Sequence, residues 1–112
     1  MSSETLGEVA VMEADDGTTA LKEMKRAMEE EGKTYDIVLI DYVMIAMNGP
    51  EAVRIMRTDM RFAGSIIGVT GNALPEDIAF FESSGADCVV TKPLTNKKLL
   101  QAILLARSKN IP

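Results

Sequence analysis

Histidine is absent from this 112-residue chain, cysteine occurs once, and cations are the minority charge, 12 Lys and Arg against 17 Asp and Glu. Each shortage removes a class of function. Without histidine, a Gly-rich phosphate loop or a Ser or Cys nucleophile elbow, the chain lacks the usual parts of a hydrolytic enzyme. A single cysteine, Cys88, cannot close an intrachain disulfide, and its place in an apolar run reads as core packing. A net charge of −5 argues against a general binder of nucleic acid or of anionic membranes. No run of about 18 apolar residues is present, and the N-terminus lacks a basic region followed by a hydrophobic one. A reducing, cytoplasmic compartment is therefore the expectation.

What remains is a regular alternation. Strand-like apolar runs fall at 9–14, 36–40, 65–70 and 87–91, and between them lie amphipathic helical stretches, the pattern of a parallel sheet covered by helices. Residues 18–31 place Ala20, Leu21, Met24, Ala27 and Met28 at helical spacing, and Gly32 stops them. Residues 50–58 form a second helix with Pro50 tolerated in its first turn. Residues 75–83 form a short third one, and residues 95–108 a fourth, capped by Thr95. The length suits one domain at the modest end for core burial. Residues 9–108 are expected to form it, with 1–8 an unstructured extension and 109–112 a tail.

Three of the strands end in polar residues of different chemistry. Asp41 follows a run of apolar strand residues, Thr70 closes the third strand, and Lys92 follows the fourth and precedes Pro93. Functional groups of open α/β sheets collect beyond the carboxyl ends of the strands, so an acid, a hydroxyl and a cation delivered there suit phosphoryl acceptance. Asp41 could instead cap a turn, but a carboxylate placed directly after a buried strand is costly to desolvate without a use. As a nucleophile it would attack in line and form an acyl phosphate, with charge neutralised by a cation. Lys92 could be a solvated loop lysine, and Thr70 a β-branched residue that fits any strand. Their order along the chain favours the functional reading.

The residues carrying these ends also resemble a known family. Asp-Tyr-Val-Met-Ile-Ala-Met-Asn-Gly (41 to 49) is similar to the phospho-acceptor Asp and following loop of the receiver domains of two-component response regulators and hybrid histidine kinases. Ile66 to Ala73 resembles the family's fourth strand with its switch Thr, and Gly85 to Leu94 its fifth strand with the Lys and following Pro. The resemblance implies a flavodoxin-like, doubly wound α/β sheet, a cis Lys92–Pro93 peptide, and a histidine kinase or His-phosphotransfer protein as donor. It also implies Mg²⁺, held by Asp41, by the Val43 carbonyl and by an acidic pair after the first strand.

That pair is missing. The segment Val9 to Gly17 resembles the family's second strand and turn, and only eight residues precede it, so the chain looks like a receiver shortened by its first β-α unit to about four strands and four helices. Asp16-Gly17 then reads as a turn and helix start. Alternatively the 9–14 strand occupies the vacated central slot, and Asp15 and Asp16 refill the metal site. Ile45 stands where the family has Pro, Gly71 where it has Ala, and Val89 or Val90 where it has an aromatic. Loss of the first helix would bare apolar sheet surface, so a homodimer or element-exchanged oligomer is expected. The leading function is a phospho-acceptor module with Asp41, Thr70 and Lys92 at its centre, not an enzyme, acting alone or within a hybrid kinase. The competing function is a pseudo-receiver that binds partners without phosphorylation, with weak or absent Mg²⁺.

Overall fold

The computed structural model describes residues 2–6, 9–32, 35–72 and 74–109. Five strands and four helices follow in the order β1 (Ser2–Leu6), β2 (Val9–Asp16), α1 (Gly17–Glu30), β3 (Ile37–Ile45), α2 (Gly49–Thr58), β4 (Ser65–Thr70), α3 (Pro75–Ser84), β5 (Cys88–Thr91), α4 (Asn96–Lys109). They form one sheet in the order β1-β2-β3-β4-β5. The β2, β3, β4 and β5 strands run parallel. This is the parallel α/β architecture expected from the sequence, with the predicted helices in place.

Two features depart from expectation. Ser2–Leu6 is a strand rather than an unstructured extension, paired antiparallel with β2 from Ser2↔Glu13 to Leu6↔Val9. A search for buried apolar runs misses such an element because its pairing uses backbone groups, which would otherwise leave the β2 edge open. Lys109 of the expected 109–112 tail closes α4 instead, while Met1, Gly7, Glu8 and residues 110–112 lie outside the described residues. The second departure is the position of β2, which pairs directly with β3 (Met12↔Val38, Ala14↔Ile40). The placement treated as the alternative in the sequence is the one adopted, and no vacant slot remains beside β3.

The strand order has a consequence for the layers. Right-handed crossovers that step repeatedly in one direction put their helices on one side of the sheet. Accordingly Ala20, Met24 and Ala27 of α1, Val53 and Met56 of α2 and Phe81 of α3 share one core with Met12, Val38, Ile40 and Ile66. The opposite face carries α4, whose Ala102 and Ala106 pack with Ile37, Leu39, Ile67 and Cys88. Period-two alternation along β3 divides its side chains between the two cores. Among the described residues, no helix is long and apolar enough to cross a membrane.

Local sequence explains the helix starts. Asp16 caps α1, its Oδ1 accepting from the backbone N–H groups of Thr18 (3.0 Å) and Thr19 (3.4 Å). Asn48 caps α2 by accepting from Glu51 N–H at 2.9 Å, with a Pro in the first turn. Phe81 is fully buried because two glycines make room for it. A Cβ on Gly68 would lie 2.8 Å from the Phe81 ring, and one on Gly49 would lie 2.6 Å from it.

At the amino ends of β4 and β5, Arg57 binds four groups. Its Nε donates to Gly85 O (2.9 Å), its Nη1 to Phe62 O (3.0 Å) and Gly64 O (2.7 Å), and its Nη2 to Asp87 Oδ2 (3.0 Å). Asp87 Oδ2 also accepts from Ile66 N–H at 2.8 Å. The guanidinium lies 5.7 Å from the centre of the Phe62 ring. One planar, five-donor group thus fastens α2 to both strand starts.

Candidate functional site

The candidate residues arrive on three neighbouring strands at their carboxyl ends. Asp41 of β3 is in register with Val69, and Thr70 of β4 with Thr91 of β5. Lys92 N–H then donates to the Thr70 carbonyl at 2.9 Å. This stagger brings Lys92 Nζ to 2.6 Å from Asp41 Oδ2, joining residues 51 positions apart in sequence. The Lys92–Pro93 peptide is cis, as the resemblance implied. The ammonium and the carboxylate predicted from the sequence therefore meet.

Thr70 is buried beside them but is turned elsewhere. Its hydroxyl donates to Asn72 O at 3.0 Å and accepts from Asn72 N–H at 3.1 Å, closing the turn between β4 and α3. A phosphoryl oxygen near Asp41 would compete with Asn72 O for that hydroxyl proton. Val43, whose carbonyl the resemblance offered as a metal ligand, is in β3 two residues past Asp41, with its side chain exposed.

Mg²⁺ prefers octahedral oxygen coordination and takes one or two carboxylates beside phosphate oxygens. Among the described residues, no three acidic, His or Cys side chains gather in a group that could hold a metal ion. Asp16 stands at the tip of β2, and its Oδ1 is engaged with the first turn of α1. The Asp15 side chain lies outside the described residues. The described side chains thus do not form an acidic metal pocket, and the refilled pair is half committed to capping.

Sequence reading missed what surrounds Asp41. Gly49, at the start of α2, lies so close to the Asp41 carbonyl that a Cβ there would be 2.4 Å from the oxygen. Helix α2 therefore begins directly over the strand that carries Asp41. Tyr42 follows Val38 and Ile40 toward the three-helix side, where its ring meets Phe81 edge-on at 5.4 Å and 84°. Desolvation raises the Tyr42 phenol pKa, and the nearby charge of Asp77 adds to the shift. The signal available was period two: a residue next to Asp41 on a strand must point away from it.

The comparisons agree with this geometry. Residues 3–104 match the family model of the response regulator receiver domain. The chain is 36% identical over 97 residues to the two-component response regulator ORR41 of Oryza sativa, covering 87% of this chain and 71% of that protein. It is 33% identical over 95 residues to the CAI-1 autoinducer sensor kinase/phosphatase CqsS of Vibrio cholerae, covering 83% of this chain but only 13% of that protein. Among solved structures, the receiver domain of the putative response regulator NarL from Mycobacterium tuberculosis superposes with a TM-score of 0.67 at 24% identity, covering 81% of this chain and 68% of that one. A receiver domain from Methanospirillum hungatei gives 0.63 at 24% identity, covering 89% and 94%. With its strand ends, its Asp41–Lys92 pair and a family match over most of its length, this chain belongs to the response regulator receiver domains of two-component signalling.

Proposed function

We propose that this receiver accepts a phosphoryl group on Asp41 from a histidine kinase or a His-phosphotransfer protein, within the cytoplasm, and that it turns over no external substrate. The observation that carries this reading is the 2.6 Å contact between Lys92 Nζ and Asp41 Oδ2 at the carboxyl edge of the sheet. A carboxylate oxygen of Asp41 attacks phosphorus in line. The P–N bond of the donor breaks, the imidazole takes the electron pair and a proton, and an acyl phosphate forms. Lys92 transfers its hydrogen bond from the carboxylate to a phosphoryl oxygen, so the new charge meets a cation already in position. Thr70 exchanges Asn72 O for another phosphoryl oxygen. Weak Mg²⁺ binding accompanies this reading.

The second reading is a pseudo-receiver that works by binding alone. It is favoured by the absence of an acidic cluster among the described residues and by the capping role of Asp16. Incubation with acetyl phosphate, with and without Mg²⁺, followed by intact mass beside Asp41→Asn, separates the two. A phosphoryl adduct lost in Asp41→Asn supports the acceptor. No adduct on a folded chain supports the pseudo-receiver. The homodimer or element-exchanged oligomer expected from the sequence is part of the proposed reading, and a stable compact monomer in sedimentation velocity at micromolar concentration overturns that part.

A further inference from the structure

Helix α4 is buried through its smallest residues. Ala102 and Ala106 face the sheet, with Leu99 and Ile103 beside them. Leu100 and Leu104, one turn apart on the far side of the helix, are 59% and 62% exposed, and Leu105 beside them is 50% exposed. Single exposed leucines are ordinary, but Leu100 and Leu104 at i, i+4 share one stripe of the helix surface, with Leu105 more than a quarter turn round toward Lys98 and Gln101. The charges on the helix itself have one sign. Helix α4 contains Lys97, Lys98, Arg107 and Lys109 and no acidic residue, whereas all 17 Asp and Glu lie elsewhere in the chain.

Two of those cations are drawn back onto the domain. Lys98 Nζ donates to Thr91 O (3.1 Å) and Oγ1 (3.3 Å), and Lys109 Nζ donates to Asp87 O. Lys97 and Arg107 are each three positions from a leucine of the stripe, Lys97 before Leu100 and Arg107 after Leu104, so helical spacing sets one at either end of it. From this arrangement we infer that the outer face of α4 docks a helical partner protein whose apolar stripe is rimmed by Asp and Glu. Leucines at i and i+4 seat between the side-chain ridges of a facing helix. Carboxylates on its rim then pair with Lys97 and Arg107, which sets orientation and association rate.

Charge argues against the other occupants. Two copies meeting through α4 bring Lys97 and Arg107 of one against those of the other, in either direction, with no acid on the helix to oppose them. An anionic bilayer attracts α4 but repels the acidic remainder of the chain.

The test uses the full chain and a labelled helix-forming peptide with leucines at i, i+4 spacing flanked by Glu, beside the same peptide with Lys in place of Glu. Fluorescence anisotropy is expected to show the Glu peptide binding roughly tenfold or more tightly than the Lys peptide. Leu100→Ser with Leu104→Ser, shown folded by circular dichroism, abolishes the binding, and Lys97→Glu with Arg107→Glu inverts the preference. Equal binding of both peptides overturns the inference. So does leucine-dependent dimerisation in sedimentation velocity without peptide preference, and so does leucine-dependent capture by phosphatidylcholine vesicles containing one-quarter phosphatidylserine.

Discussion

Two ion pairs stand at opposite ends of the same parallel sheet. At the carboxyl end, Lys92 meets Asp41 with side chains 48% and 22% exposed. At the amino end, Arg57 meets Asp87 with side chains 19% and 12% exposed. The first is a single contact between a flexible ammonium and one carboxylate oxygen, open to water. The second is one node of a network in which every partner is a backbone carbonyl, an N–H or a ring. A contact in high dielectric between mobile groups adds little stability, and on the proposed reading that lets it be given up to an incoming phosphoryl group. A largely buried planar cation with four of its five donors used fixes geometry and has little to exchange. The rigid electrostatics thus lie at the end of the sheet away from the proposed phosphoryl site.

The comparison breaks most clearly at Asp41 itself. Asp41→Asn should abolish phosphoryl uptake from acetyl phosphate, read by intact mass, while urea unfolding shifts by less than about 1 kcal/mol. Lys92→Ala should slow uptake by roughly 10²-fold with a similarly small change in stability, because it removes charge stabilisation from the transfer and only an exposed pair from the fold. Arg57→Ala should do the reverse. Loss of the guanidinium leaves Asp87 and several strand-end carbonyls without it and costs about 3 kcal/mol in urea denaturation. Arg57→Lys recovers little of that, since one ammonium does not span four acceptors.

Two smaller effects sharpen the contrast. Gly49→Ala forces a methyl into the Asp41 carbonyl and the Phe81 ring, so both stability, by about 1–3 kcal/mol, and uptake should fall together. It is the position where fold and site coincide. Cys88, buried under α4, has its thiol pushed up to about 11 by desolvation. The folded state therefore holds its proton to higher pH than the unfolded chain does. Stability is full below the thiol's ordinary pKa and declines as pH rises toward 11, by roughly 2 kcal/mol. Urea midpoints across that window, compared with Cys88→Ala, should show a flatter profile in the variant.

Much of the site was legible because strands of alternating or continuous apolarity announce their own ends. Asp41, Thr70 and Lys92 each follow such a run, and the parallel architecture brings like ends together. The Thr70 hydroxyl was placed correctly in the chain but not in its bonding, since its acceptor Asn72 lies in a turn whose geometry no periodicity encodes. Nothing in the local sequence of α2 distinguishes Arg57 from a surface charge on an amphipathic helix. Its four acceptors come from a loop, a helix cap and a strand end up to 30 residues away, and only their assembly makes it a clamp. Phe81 likewise becomes central only where Gly49 and Gly68 leave it space.

By itself the sequence determined the four parallel strands and the four helices, several of the polar groups that cap them, and which three residues stand at the carboxyl edge. These are local consequences of apolar period, capping chemistry and side-chain type. Tertiary structure decided the rest: that β2 lies directly beside β3, that Ser2–Leu6 adds an antiparallel edge, that three helices share one face, and that α4 turns leucines outward. An apolar strand carries no mark naming its neighbour, because any parallel partner satisfies its backbone. Its place follows from crossover handedness and from which helices remain to cover each side of the sheet.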